Sequence, residues 1–327
     1  MAWQVARAGP LGALPGWRKA GKSRIFPLSC CFGSIMTVTT RFAPSPTGHL
    51  HLGHVASALH GWRRAAESGG TFLLRVEDID TVRCRPEFIT DLYEDLGWLG
   101  LSWPQPVRRQ SRHMAAYRRV LDNLRARGLL YPCFCTRRDI AEAASAPHHA
   151  PDGTLVYPGT CRDMDPALRA EWLAAGVPHA LRLDMAAAMR LPGARELTWH
   201  ELGHGPRMCQ PQLFGDVVLA RKDVPASYHL CVTHDDALQG VSLVTRGEDL
   251  MAATALHRLL QHVMGWPAPC YSHHPLLCDD TGRRLAKRDG AVSIRAMRAA
   301  GMTPQQVCAA AAQPDHISAV STAARSH

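Results

Sequence analysis

Residues 41–54 read RFAPSPTGHLHLGH, and this stretch decides the fold. An apolar, β-branched run, Val38 to Phe42, comes just before it. Just after it, Val55, Ala58, Leu59 and Trp62 recur at the i, i+3, i+4, i+7 spacing of one buried helix face. The stretch is therefore a loop between a strand and a helix, and its last histidines fall where the helix begins. A helix N-terminus exposes unpaired N–H groups and partial positive charge, which suits phosphate. His51 and His54 lie three apart, so their rings can face one side and donate hydrogen bonds to a polyphosphate. Gly48 and Gly53 would allow unusual backbone angles and close approach of a flat ligand.

Outward from the loop, Phe72 to Val76 reads as a strand that ends in the acids of RVEDID (75–80). Helices are predicted over Pro86–Leu96 and His113–Arg127. After Pro166–Ala175, a helix again, HALRLDM (179–185) alternates as a strand, and the region to about Arg207 reads as irregular. DVVLAR (216–221), YHLCVT (228–233) and Val241–Thr245 read as strands, and Leu250–Met264 as a long helix. Strands alternate with helices early and late, with a less regular cysteine-bearing block between. The expected architecture is a doubly wound α/β domain with a parallel sheet, split by an insertion. Ligands in such a sheet bind beyond the carboxyl ends of the strands, where the opening loop would lie.

The chain has 327 residues, 46% of them hydrophobic, enough for a sizeable core. No window approaches the roughly 18 apolar residues of a membrane span. The formal net charge is +9. Residues 1–35 carry Arg7, Arg18, Lys19, Lys22 and Arg24 and no acid, so the rest balances to +4 (9 minus 5). That mild basicity is compatible with nucleic acid but does not require it. The first 35 residues read as a disordered extension ahead of Met36, with a transit peptide as the alternative. Eleven cysteines, an odd number without a secretory signal, point to a reducing cytoplasm.

Cys133, Cys135 and Cys161 stand apart from the others. A tight pair plus a later cysteine suits tetrahedral zinc. Ligand chemistry alone offers His148 or His149 as the fourth donor. The site would be structural, bracing an insertion too small for its own core.

HLGH (51–54) resembles the HIGH signature of class I aminoacyl-tRNA synthetases, and the longer string resembles their glutamyl subgroup. The resemblance covers roughly residues 37–300. RLAKR (284–288) sits where that family carries KMSKS, and Lys287 matches the lysine that steadies charge on the β,γ-phosphates. Arg284 replaces the first lysine and Ala286 the serine.

The resemblance implies a Rossmann-like nucleotide-binding domain interrupted by a zinc-bearing insertion. It implies that His51, Gly53, His54 and Lys287 serve ATP. L-glutamate would meet Arg41, Phe42, Ala43, Pro44 and Ser45 of the opening string, Glu77, Tyr228 and Arg246. An arginine reading the substrate's side-chain carboxylate is expected, with Arg41 the candidate. Tyr157, in YPGTC (157–161), is implied as the fourth zinc ligand, one Zn²⁺ per chain, with Mg²⁺ accompanying ATP.

The expected organisation is an extension (1–35), two catalytic halves (36–116 and 211–300), the insertion (117–210) and a short tail (301–327). No anticodon-binding domain is expected, because about forty residues follow Lys287. The resemblance then sharpens to the shortened glutamyl paralogues. The implied acceptor is the queuosine base at the wobble position of the tRNA(Asp) anticodon stem-loop, reached by a cytoplasmic monomer. A compact synthetase charging a tRNA 3′ end and a non-catalytic RNA-binding paralogue are the alternatives.

Overall fold

The computed structural model describes residues 37–143, 149–278 and 292–312. The expected extension (1–35), His148, the RLAKR loop with Lys287 and the chain beyond residue 312 lie outside those residues.

Strand β1 (Thr39–Phe42) enters the opening loop and helix α1 (Leu52–Glu67) leaves it. β2 (Thr71–Val76) runs parallel to β1, with Thr39 opposite Thr71 and Phe42 opposite Leu74. α2 (Pro86–Trp98) begins on a proline, whose fixed φ suits a first helical position. β3 (Arg108–Arg109) extends the parallel sheet, and α3 (Met114–Ala126) leads away from it. The middle block holds β4 (Leu130–Cys133), α4 (Arg137–Ala143), α5 (Pro166–Ala174), β5 (Ala180–Leu183) and α6 (Met185–Met189). There follow the hairpin of β6 (Thr198–Glu201) and β7 (Gly205–Met208), β8 (Val218–Ala220), α7 (Tyr228–Leu238), β9 (Leu243–Gly247), α8 (Ala253–Met264) and β10 (Cys270–His274). Helices α9 (Ile294–Ala299) and α10 (Pro304–Ala312) close the described chain.

The expected parallel sheet is present in two parts. One is β1-β2-β3; the other places β10 between β9 and β6, all parallel, with β7 antiparallel at the edge. The parts meet where the Ser242 N–H donates to the Thr39 carbonyl at 3.0 Å. β1, β2, β9 and β10 thus end at Phe42, Val76, Gly247 and His274 around the opening loop. α1 lays Val55, Ala58, Leu59 and Ala65, all at most 2% exposed, against Phe42, Phe72 and Leu74. Burying each larger side chain contributes about 1.5–3 kcal/mol, so this face holds the helix in place. Gly61 lets α1 approach β9: a Cβ there would sit 2.8 Å from Thr245 Oγ1.

The middle block forms a separate antiparallel sheet, β4-β5-β8. Tyr131, Cys133, Phe134, Tyr157 and Cys161 make a small core of their own beside it.

Two readings of the sequence are corrected here. Residues 228–233 are not a strand; they open helix α7, capped by the Ser227 hydroxyl, which accepts from the Leu230 N–H at 3.3 Å. Leu230, Cys231, Val232, Thr233, Asp235 and Asp236 are all buried, so the helix shows no polar face and its 3.6-residue period is hidden. The stretch before Arg207 is not irregular throughout. It contains β6, which pairs with β10 through Glu201 and Tyr271, so a short hairpin turned by Gly203 and Gly205 joins the parallel sheet.

Candidate active site

His51 caps α1. Its Nδ1 accepts from the Gly53 N–H at 3.1 Å, while His54 Nδ1 accepts from the His51 N–H at 3.1 Å. Two histidines here form the reciprocal box that Ser and Glu usually supply. An N–H can bond only to an unprotonated ring nitrogen, so both neutral rings carry their proton on Nε2. The rings lie side by side, centroids 3.8 Å apart. Gly53 matters for space rather than for backbone freedom. Its φ is not positive, but a Cβ would come within 3.0 Å of the His51 ring.

The bridge between His51 and Ser293, with the Ile294 N–H donating to the Leu50 carbonyl at 2.8 Å, brings the far flank of the basic segment beside this box. Leu277, on the near flank, packs with Leu50, Leu52 and Ile294.

A cleft of about 570 Å³ opens over the strand ends. Arg41, Phe42, Ala43, Pro44, Ser45, His51, Gly53, His54, Glu77, Tyr228 and Arg246 all line it. Every residue expected for glutamate, and every described residue expected for ATP, thus borders one cavity. The Glu77 N–H donates to the Pro44 carbonyl at 3.1 Å and ties the opening loop to the end of β2.

Beneath the cleft lies a buried charge network. Arg41 Nε and Arg75 Nη2 both reach Asp236 Oδ1, at 3.0 and 2.8 Å. Arg41 Nη1 donates to the Thr245 carbonyl at 2.8 Å, and Arg75 Nη1 to Gln239 at 3.0 Å. Arg75 also comes within 3.4 Å of Glu77. Burial pushes the Glu77 carboxyl up to about 7; Arg75 and Arg41 oppose that shift, and Asp236 and Asp235 add to it.

Arg246 is held differently. Its Nε donates to His273 Nε2 at 3.2 Å, its Nη1 to His257 Nδ1 at 3.0 Å and its Nη2 to Thr254 Oγ1 at 2.7 Å. Among the described residues no carboxylate pairs with it. Arg41, the candidate that the resemblance offers for the side-chain carboxylate, lines the cleft and pairs with the protein carboxylate of Asp236. The sequence reading missed Arg75, Asp236, Glu201, Thr254, His257 and His273. The alternation of Arg75 and Glu77 along β2, and the acid pair Asp235–Asp236 inside an apolar run, were the available signals.

In the middle block, Cys133, Cys135 and Cys161 bring their sulfurs within 4.8 Å of one another. Cys135 Sγ lies 3.3 Å from Cys161 Sγ and 3.4 Å from the Tyr157 hydroxyl. Tetrahedral Zn–S bonds of about 2.3 Å place sulfurs roughly 3.8 Å apart, so the donor set fits a small thiophilic ion. Tyr157 is the fourth donor nearest the sulfurs among the described candidates. His149 is exposed and pairs its backbone with Leu155, apart from the cluster.

Residues 37–313 match the family described as tRNA synthetases class I (E and Q), catalytic domain, and the chain belongs to that family. It is accordingly a ligase of the aminoacyl-tRNA synthetase type. Among curated relatives, the glutamyl-Q tRNA(Asp) synthetase of Rhodobacter capsulatus is 47% identical over 275 residues, 82% of this chain and 97% of the relative. The protein of the same name from Symbiobacterium thermophilum is 42% identical, over 82% of this chain and 83% of the relative. The crystal structure of a glutamate tRNA ligase from Elizabethkingia meningosepticum, in complex with its amino acid, superposes with a TM-score of 0.64 at 29% identity. That match covers 78% of this chain and 52% of the ligase, so the chain spans about half of that solved protein.

Proposed function

We propose that the protein activates L-glutamate with ATP and transfers it to the queuosine base at the wobble position of tRNA(Asp). The observation that carries the activation step is the convergence of the glutamate and HLGH residues on one cleft. The acceptor is proposed from the names of relatives that align along most of their length.

In this reading the glutamate α-ammonium meets Glu77, and its side-chain carboxylate meets Arg246, with Arg41 and Tyr228 beside it. The α-carboxylate attacks the α-phosphate of ATP, and pyrophosphate leaves. His51 and His54 offer Nε2–H donors to the triphosphate at the N-terminus of α1. Lys287, outside the described residues, would reach the β,γ-phosphates as charge builds there. Mg²⁺, when bound with ATP, neutralises phosphate charge. A hydroxyl of the queuosine cyclopentene diol then attacks the glutamyl carbonyl of the adenylate, forms an ester and releases AMP. That diol resembles the ribose diol of a terminal adenosine, so a site built for one can esterify the other.

Labelled glutamate should be retained on an anticodon stem-loop fragment of queuosine-containing tRNA(Asp), and not on tRNA(Asp) lacking queuosine. Label on the 3′-terminal adenosine would overturn the acceptor assignment and favour a compact glutamyl-tRNA synthetase. A wild-type protein with no glutamate-dependent ATP–pyrophosphate exchange would favour a non-catalytic paralogue.

Glu77 makes the site pH-dependent. With its carboxyl at about 7 in the empty site, it is largely neutral below that pH. Binding the ammonium needs the carboxylate. The glutamate KM in the exchange assay is expected to rise as pH falls from 8 to 6, approaching about tenfold per unit below 7. Glu77→Gln should raise KM and flatten that profile; a profile unchanged by the substitution would remove Glu77 from ammonium binding. Lys287→Ala is expected to slow exchange about a hundredfold at saturating glutamate, the scale of one lost charge contact in the transition state. A rate within threefold of the parent would exclude that role.

We also propose that Cys133, Cys135, Tyr157 and Cys161 hold a structural Zn²⁺. Metal analysis should return one zinc per chain. Cys161→Ser should lower that content and reduce the melting temperature by several degrees; full zinc retention would sink the assignment.

A further inference from the structure

The Arg246 cradle contains a second layer, and it determines which ring nitrogens the arginine meets. Arg donates and never accepts, so His257 Nδ1 and His273 Nε2 must both be bare. A neutral imidazole has one proton, which in each ring is therefore on the other nitrogen. In His273 that is Nδ1–H, which donates to Glu201 Oε2 at 2.7 Å. In His257 it is Nε2–H, which donates to His229 Nδ1 at 3.0 Å. Two chains result: Arg246 to His273 to Glu201, and Arg246 to His257 to His229. Glu201 also accepts the His273 backbone N–H at 2.8 Å, which fixes its carboxylate against the end of β10.

The rings are kept neutral by their surroundings. His257 is 3% exposed, and burial, with the Arg246 charge, holds it well below the ordinary histidine range. Burial brings His229 down to about 4. His273 is lowered by burial too, although Glu201 pulls the other way.

We propose that Glu201 and His229 are positioning residues that fix the tautomers of His273 and His257, so that Arg246 is gripped by neutral acceptors and keeps its full charge for an anionic substrate side chain. The contrast with Arg41 supplies the reason. Arg41 shares a protein carboxylate with Arg75, which would compete with a substrate carboxylate for the same guanidinium. Neutral nitrogens orient Arg246 without that competition. A neutral amide side chain has no negative charge to pair with Arg246, so the cradle also sets discrimination of acid from amide. None of these four residues borders the cleft.

The inference rests on the reading that Arg246 meets the substrate, and the test separates the two. Long-range ¹H–¹⁵N correlation spectra of the full chain, with His257 and His273 assigned by substitution, read the tautomers without any substrate. His257 Nε2–H and His273 Nδ1–H are expected; the opposite tautomer in either ring overturns the proposal. In glutamate-dependent ATP–pyrophosphate exchange, His257→Leu should raise the glutamate KM about tenfold. His257→Asn, whose side-chain oxygen can stand in for Nδ1, should stay within threefold of the parent. Glu201→Gln, nearly isosteric, can present an amide N–H to His273 Nδ1 and turn an N–H toward Arg246. It should raise the glutamate KM about tenfold, with kcat and the ATP KM within twofold, and lower the preference for glutamate over glutamine. If Arg246→Leu raises the glutamate KM while His257→Leu and Glu201→Gln leave it unchanged, the cradle is refuted and the substrate reading stands. If Arg246→Leu itself has no effect, the substrate reading fails, whatever the tautomers are.

Discussion

Replacing Arg246 with leucine is expected to cut kcat/KM for glutamate about a thousandfold in ATP–pyrophosphate exchange, ~4 kcal/mol. The loss should fall on glutamate alone, with the ATP KM within about twofold. The magnitude follows from burial and pairing. Arg246 is 5% exposed and has no carboxylate partner among the described residues, so a bound substrate carboxylate would be desolvated against an intact positive charge. Removing the cation leaves that carboxylate buried and unpaired, the costly half of any charge pair. Arg246→Lys should recover little, since a single ammonium cannot satisfy Thr254, His257 and His273 at once and still meet the substrate. A loss below tenfold, or an equal loss for ATP, would move the side-chain carboxylate to another residue.

Asp236→Ala is expected to destabilise the fold by about 3–5 kcal/mol. The Asp236 carboxylate takes a hydrogen bond from Arg41 at 3.0 Å and another from Arg75 at 2.8 Å. Those arginines are 4% and 0% exposed. Without the carboxylate, among the described residues Arg75 keeps Gln239 at 3.0 Å and Glu77 at 3.4 Å, and Arg41 keeps the Thr245 carbonyl. Denaturant unfolding of the variant would measure the change. A loss under 1 kcal/mol would mean that Glu77 and the backbone carbonyl suffice for two buried guanidiniums. Asp236 sits in the C-terminal half of α7, beyond the 228–233 stretch that reads as a strand, and its two arginine partners come from β1 and β2, so its load is not visible in the sequence.

The residues proposed for glutamate differ in how legible they are. Arg41, Ser45 and Glu77 lie at the ends of strands whose β-branched runs are plain in the sequence, and strand ends are where a doubly wound sheet binds ligands. Tyr228 and Arg246, like those three, are assigned to glutamate by resemblance. Residues 228–233 hold a short apolar run, Leu230 to Val232, that reads as a buried strand, and the burial of most α7 side chains conceals the helix. The hairpin of β6 and β7 was lost because strands of four residues between glycines carry little periodic signal. That loss also hid Glu201, which β6 carries to within 2.7 Å of His273 on a strand 72 positions later.

By itself the sequence determined the alternation of strand and helix, the turn at HLGH that opens α1, and the cysteine triad. Each depends on neighbours within one turn, one strand or one short motif, which is the range over which local patterns act. Only the tertiary structure decided which arginine has a carboxylate partner among the described residues and which has none. Arg41 and Arg246 look alike in sequence, since each ends a strand. Asp236, His257 and His273 come from different elements, and only folding brings a carboxylate to one guanidinium and bare ring nitrogens to the other. Charge pairing in a buried site depends on a few ångströms between distant segments, and no local pattern encodes that distance.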